Sequence, residues 1–272
     1  MQKEILNLRR NAIHCELLDE INPKCSASSK IGGKPCLPKK EGWFYVGNGD
    51  KSYPLVFVAQ INLEDVAKHD KEHVLPEKGM LYFFYDFIEE SIGCHPEDKE
   101  HFKVFYHEGE LSELEEKDYP ENLQEDFRIP EFAIKFSMRD EVPMCEEYNE
   151  ITDGKIDYDD YNYEVARVGL DYNHDQEIFK LLGYADLCQG SMLIECEMVS
   201  NGINCGDFEH LPLRTQYSEK ATDWILLFQV DIISNAEFEL MIGDTGRLYY
   251  YIRKEDLKNK RFEKCWFMTQ SL

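Results

Sequence analysis

An apolar run carrying one glutamine occurs twice in this chain, and the same features flank it each time. Residues 55–61 (LVFVAQI) contain Gln60, with Asn62 two places on; residues 224–230 (WILLFQV) contain Gln229, with Asp231 two places on. Both runs are short and rich in β-branched and aromatic residues, which predicts buried strands. A second run follows each after a glycine: Gly79-Met80-Leu81-Tyr82-Phe83-Phe84 in the first case, Gly246-Arg247-Leu248-Tyr249-Tyr250-Tyr251 in the second. Upstream stand KIGGKP (residues 30–35) and KLLGYA (residues 180–185). Three matched features in one order predict an internal duplication. A duplicated strand-rich unit buries its apolar face against its own copy.

The rest of the chain is read around that frame. The expected fold class is α+β, mainly antiparallel sheets with short helices, forming one pseudo-symmetric unit over residues 1–272. The first repeat covers about 29–90, an acidic variable middle about 91–175, and the second repeat about 176–270. Asn62 is placed to cap a short helix, LEDVAK, and Pro76 and Gly79 punctuate the return. In EILNLRRNAIHCELLDEI, Ile5, Leu6, Ile13, Leu17 and Leu18 fall on one helical face, which predicts an N-terminal amphipathic helix ended by Asn22-Pro23. HFKVFYH and EFAIKF read as strands and FEKCWFMTQ as a final buried strand. The acidic stretches EGELSELEEKDYPENLQED and DEVPMCEEYNEITDGKIDYDDYNYE read as solvated loop, because blocks of like charge repel one another.

Charge narrows the range of partners. Against 30 Lys+Arg stand 54 Asp+Glu, a formal charge of −24. Such a surface repels nucleic-acid phosphates and anionic headgroups, so neither nucleic acid nor membrane is an expected partner; a basic protein is. No continuous apolar stretch at the start resembles a secretion signal, and no run reaches the length of a membrane span. The nine cysteines are odd in number, dispersed and free of CxxC pairs. They read as reduced thiols of a cytoplasmic protein.

The chemical motifs fail one by one. SKIGGKPCLP (residues 29–38) has the look of a phosphate loop, yet Pro35 follows Gly33-Lys34 where a hydroxyl is needed, and Ser28 stands where the leading glycine belongs. Gly32 and Gly33 therefore read as a turn into the first repeat. No strand–GxGxxG–helix unit is present, so no cofactor is expected. DGKIDYDDYNYE has Glu164 at the twelfth place of a calcium loop, but Lys155 sits at the third and Tyr158 where the sharp turn needs glycine. His69 and His73 in HDKEH lack a nameable third ligand, and no metal site is assigned. No nucleophile–base pair can be picked out, so catalysis is not expected. The repeated polar residues are amides, which hold by hydrogen bonds but neither transfer protons near neutral pH nor act as nucleophiles. Each buried glutamine either ties down adjacent loops or meets a polar ligand.

Together, SKIGGKPCLP, PLVFVAQINLEDV, LPEKGMLYFF, LGYADLCQG, WILLFQVD and GDTGRLYYYIRKEDL resemble the YwqG-like family of bacterial proteins, a domain of unknown function. The resemblance runs from about Ser29 to Gln270 and passes over the acidic middle. It implies a compact α+β protein with repeated halves, no assigned activity, and relatives that serve as immunity or regulatory proteins in toxin systems. Carried onto this chain, the motif positions are Gly32, Gly33, Gln60, Asn62, Gln189, Gly190, Gln229, Asp231, Asp244 and Gly246, as architectural rather than catalytic residues. Ile242 departs from the aromatic residue that family members often carry before Gly-Asp.

Three functions are then in competition. The first is a cytoplasmic binding protein, of immunity type, that masks a basic toxin-like partner through its acidic face. The second is a small-ligand or metal-dependent enzyme or binder with a cleft between the repeats, lined by Gln60, Gln229, Asp231 and Asp244. The third is an assembly role with the N-terminal helix as its handle.

Overall fold

The structure, a computed structural model, describes residues 1–18, 27–47, 49–170 and 178–271. Its frame is a ten-stranded sheet, here numbered along the chain: β1 (Arg10–Leu18), β2 (Lys30–Ile31), β3 (Val56–Asn62), β4 (Met80–Tyr85), β5 (Phe102–His107), β6 (Phe132–Glu141), β7 (Lys180–Leu182), β8 (Trp224–Val230), β9 (Arg247–Arg253) and β10 (Trp266–Gln270). The order is β10-β9-β8-β7-β1-β6-β2-β3-β4-β5, with every neighbouring pair antiparallel. It reads alike from either end, as a glutamine strand and its hairpin partners on each side of the central pair β1–β6. The sheet curls until its ends approach: Phe102 of β5 and Phe267 of β10 have ring centroids 4.9 Å apart. The result is a nearly closed, barrel-like sheet.

Alternation of side chains explains why all of β4 is buried. Leu81, Phe83 and Tyr85 point into the main core, which both ends of the sheet share. Phe83 meets Phe228 at 4.7 Å and Tyr250 at 5.0 Å across that interior. Met80, Tyr82 and Phe84 point to the opposite face, into a second cluster closed by Cys36, Leu37 and Leu114. Each glutamine strand carries a β-bulge, between Phe57 and Ala59 in β3 and between Leu226 and Phe228 in β8. Asn62 caps a helix at Leu63–Ala67, its side chain accepting from the Glu64 amide at 3.0 Å.

Two expectations need correction. The N-terminal helix is only α1 (Gln2–Asn7), and residues 10–18 form β1 at the centre of the sheet. All nine β1 residues pair with β6, and Ala12, Ile13 and His14 pair with β7 as well. Pairing on both sides outweighs a helical spacing that Leu6, 41% exposed, does not support. Asn22 and Pro23 lie outside the described residues. The second acidic stretch is not loop but two helices, here α2 (Cys145–Thr152) and α3 (Tyr158–Arg167). Their Tyr148, Tyr161 and Val165 bury against Ile5 and Val142. The acids of the imagined calcium loop serve as caps: Asp153 ends α2 in the left-handed conformation, and the Asp157 side chain accepts from the Asp159 amide.

Candidate functional site

The two glutamines occupy matching brackets. Gln60 Oε1 accepts from the Cys36 amide at 2.9 Å, and its Nε2 donates to the Ser28 carbonyl at 2.8 Å. Gln229 Oε1 accepts from the Asp186 amide at 2.9 Å, and its Nε2 donates to the Ile178 carbonyl at 3.0 Å. In the same register, Lys30 pairs with Gln60 and Lys180 with Gln229. Tyr82 opposite Gln60 donates its hydroxyl to the Cys36 carbonyl, and Tyr249 opposite Gln229 donates to the Asp186 carbonyl. Both glutamines are fully buried. Each therefore satisfies one backbone N–H and one C=O that the ten-stranded ladder leaves unpaired. The turns are left-handed at equivalent places, Gly32 and Gly33 at φ 62° and 68°, Leu182 and Gly183 at 59° and 73°. At Gly32 a Cβ would stand 2.2 Å from the Pro130 carbonyl oxygen, so glycine is required there.

The brackets differ at the residue they hold, and the difference creates a charged centre. In the first half it is Cys36, and the nearby Lys30 pairs with Glu131 at 2.7 Å. In the second it is Asp186, which with Glu141 encloses Lys180: Nζ lies 2.6 Å from Asp186 Oδ2 and 2.9 Å from Glu141 Oε2. Gln229 donates to the same Asp186 oxygen at 3.0 Å, and His14 Nε2 meets Glu141 Oε1 at 2.7 Å. Burial alone would lower the Lys180 ammonium, but the facing Asp186 and Glu141 hold it above its ordinary value. Burial likewise opposes ionisation of Asp186 and Glu141, and Lys180 outweighs it, keeping both below the ordinary carboxylate range. His14, Glu141 and Asp186 open onto a cavity of about 370 Å³ beside the central strands, with Lys71, Asp140 and Leu170 also on its wall.

The first acidic stretch has the opposite design, with its charge facing outward. Leu114–Glu116 pairs antiparallel with Cys36–Pro38, the strand that Gln60 brackets. The Lys39 amide donates to the Glu113 carbonyl and the Lys117 amide to the Pro35 carbonyl, each at 2.9 Å. Leu114 and Leu123 are buried beneath. Glu110, Glu113, Glu116, Glu121, Glu125 and Asp126 are exposed above them. Ion pairs engage Asp118 with Lys34 at 2.6 Å and Glu115 with Lys117 at 2.6 Å. Among the described residues Glu110, Glu116, Glu121 and Asp126 have no direct ion pair. Residues 108–126 are thus a fixed acidic ledge rather than a solvated loop.

Residues 29–271 match a family described as a domain of unknown function, DUF1963. The chain belongs to that family. No curated protein matches the sequence. The match spans both brackets and the ledge of this DUF1963 chain, and its family description assigns no activity. Among the described residues no helix is long and apolar enough to cross a membrane.

Within the DUF1963 chain the sequence-derived positions do not assemble into one cleft. Four strands separate β3 from β8, so Gln60 and Gln229 stand in separate brackets. Asn62 and Asp231 extend those brackets: Asn62 donates to the Ala27 carbonyl at 3.1 Å, and Asp231 accepts from the Ile178 amide at 3.0 Å and from Arg247 at 2.7 Å. Asp244 is exposed on the loop before β9. Gly246 follows, where a Cβ would meet the Gln270 and Ile242 carbonyl oxygens at 2.3 and 2.4 Å. Gln189 and Gly190 lie on a loop held by a third glutamine, Gln270, whose Oε1 accepts from the Cys188 and Gln189 amides and whose Nε2 donates to the Gly190 carbonyl. Sequence reasoning missed Lys180, Glu141, Asp186 and His14. The one available signal was a lysine repeated at the start of both KIGGKP and KLLGYA.

Proposed function

We propose that this chain is a binding protein rather than an enzyme, and that the ledge of residues 108–126 captures a basic protein partner. One observation carries the reading: the exposed carboxylates sit on backbone pinned by a paired strand and two buried leucines. A charge array held in place attracts an oppositely charged partner without first losing loop entropy, and it speeds encounter. Solubility alone would not require such fixing. On this reading the chain is of the immunity or regulatory type, its family is the YwqG-like one, and it acts in the cytoplasm, in keeping with the eight described cysteines, which are free thiols. The halves then descend from a duplication, which the matching brackets support; Cys36 and Asp186 mark where they diverged.

Capture from cytosol tests it. The wild-type chain is expected to retain basic proteins at low salt and release them near 1 M salt, where the screening length falls to about 3 Å. A variant with Glu110→Gln, Glu116→Gln, Glu121→Gln and Asp126→Asn, folded by circular dichroism, is expected to retain far less. Equal capture by the variant, or none by the wild type, would sink the reading.

A second reading has its own observation, the cavity over His14, Glu141 and Asp186, which suits a small polar ligand. A thermal-shift screen against metabolites and divalent metals separates the two. A selective gain of several degrees, abolished by His14→Ala, favours the cavity, and a flat screen leaves the ledge.

A further inference from the structure

Cys94 and Cys205 are separated by 111 residues in sequence yet meet in space. Cys94 lies on the connection between β4 and β5, and Cys205 on the loop that follows the helix Leu193–Ser200. The Cys205 amide donates to the Cys94 carbonyl at 3.0 Å, and its thiol reaches the same oxygen at 3.6 Å. The neighbouring pair repeats the contact, with Asn204 Nδ2 donating to His95 Nδ1 at 2.9 Å. Two consecutive residues from each loop therefore form a clasp, and it stands beside the place where the sheet's ends approach, where the Thr269 amide of β10 donates to the Ile92 carbonyl at 3.1 Å. Both thiols are half-buried and open onto a cavity of about 310 Å³ shared with Gln189, Gly190 and Glu195. A small oxidant can enter there. Cys15, Cys36, Cys145, Cys196 and Cys265, by contrast, are buried.

We propose that Cys94 and Cys205 are a modification site at which a hydroperoxide closes a reversible disulfide, stapling the β4–β5 connection to the loop after Leu193–Ser200. The two thiols have distinct parts. The Cys205 thiol donates to the Cys94 backbone carbonyl at 3.6 Å, which holds its proton in place, and the adjoining Cys205 side chain keeps the Cys94 thiol below its ordinary value against the opposing effect of burial. Cys94 is therefore the attacking sulfur. Its thiolate attacks one oxygen of hydrogen peroxide, the O–O bond breaks, and the departing hydroxide takes up a proton as water, leaving a sulfenic acid. The Cys205 sulfur then attacks the Cys94 sulfur, the S–O bond breaks, and the hydroxyl leaves as a second water with the Cys205 proton. Two electrons pass from the two thiols to the peroxide.

Hydrogen peroxide added to the folded wild-type chain, followed by alkylation of remaining thiols, digestion and mass spectrometry, tests this. The expected product is a peptide pair joined through Cys94 and Cys205, lighter by two hydrogens than the separate peptides and released by dithiothreitol. The oxidised chain is expected to melt several degrees higher, since the bond closes a long loop in the unfolded chain. In Cys205→Ser the sulfenic acid is expected to persist at Cys94 and react with dimedone, whereas Cys94→Ser should leave Cys205 unmodified. The wild-type digest is decisive whether or not a variant folds. A bridge between any other pair of cysteines, sulfinic acid at Cys94 with Cys205 still free, or two unmodified thiols would overturn the assignment.

Discussion

Truncating Gln229 to alanine probes the bracket at its most demanding point. The side chain is fully buried and makes three bonds, from the Asp186 amide at 2.9 Å, to the Ile178 carbonyl at 3.0 Å and to Asp186 Oδ2 at 3.0 Å. Alanine leaves a buried N–H and a buried C=O without partners, at about 1–3 kcal/mol each. With the weakened hold on Asp186, the expected loss is roughly 3–5 kcal/mol, a large share of the ~5–15 kcal/mol that a folded domain has. Gln60→Ala removes the acceptor of the buried Cys36 amide, but the Ser28 carbonyl is half-buried and can turn to water, so the expected cost is smaller, about 1–3 kcal/mol. Urea unfolding, read as a shift in midpoint at unchanged slope, measures both. Gln229→Glu sharpens the test, because a carboxylate can still accept from the Asp186 amide but would face the Asp186 carboxylate and could not donate to Ile178. That variant should be worse than alanine at pH 7 and recover on acidification. A loss below about 1 kcal/mol for either alanine variant, or a glutamate tolerated at pH 7, would refute the bracket as the element that fixes the turns.

Two further expectations concern buried charge. Burial lifts the Glu147 carboxyl to about 7, opposed by Arg10 and helped by Glu150, and its Oε2 has no partner among the described residues. The folded chain therefore holds that proton more tightly than the unfolded one, and stability falls as pH rises from the ordinary carboxylate range toward 7. Glu147→Gln removes the penalty and should be more stable than wild type at pH 8 by up to roughly 3 kcal/mol, but not at pH 4; parallel pH profiles in urea would contradict this. Lys180→Met leaves Asp186 and Glu141 buried without their cation, at about 3–5 kcal/mol near neutral pH. Both carboxyls are held below their ordinary range by Lys180, so the stability they bring is present above that range and lost as pH falls through their folded values. The deficit of the variant should shrink in acid as the stranded carboxyls protonate, and a deficit that grows in acid would refute the pairing.

The hairpins were legible because their signal is local. A six- or seven-residue apolar run with a glycine before its partner specifies strand and turn without reference to the rest of the chain. Residues 10–18 were not, because Ile13, Leu17 and Leu18 fit a helical stripe as well as a strand, and the choice is made by β6, more than a hundred residues away. The acidic stretch 140–164 read as loop by its charge, yet Cys145 and Tyr148 share a face of α2, Tyr161 and the following Val165 share a face of α3, all four bury, and Asp153 and Asp157 serve as caps. Of the charged centre, only Lys180 had a trace in the sequence. Its carboxylates come from β6 and from the bracketed turn, and their meeting follows from sheet order, which no local pattern encodes. The ledge was misjudged for a related reason: Leu114 and Leu123 are two apolar residues among many acids, and their importance appears only once Cys36–Pro38 lies beside them.

Hydrogen exchange along residues 108–126, on the chain alone and with a captured basic partner, examines the fixed ledge and its use together. The amides of Lys39 and Lys117, which bond across to the Glu113 and Pro35 carbonyls, are expected to exchange slowly in the free chain, and the whole segment to slow further in the complex. Rapid exchange of both amides in the free chain, or protection in the complex confined to the strands around His14 and Glu141, would contradict a preformed acidic face as the seat of binding.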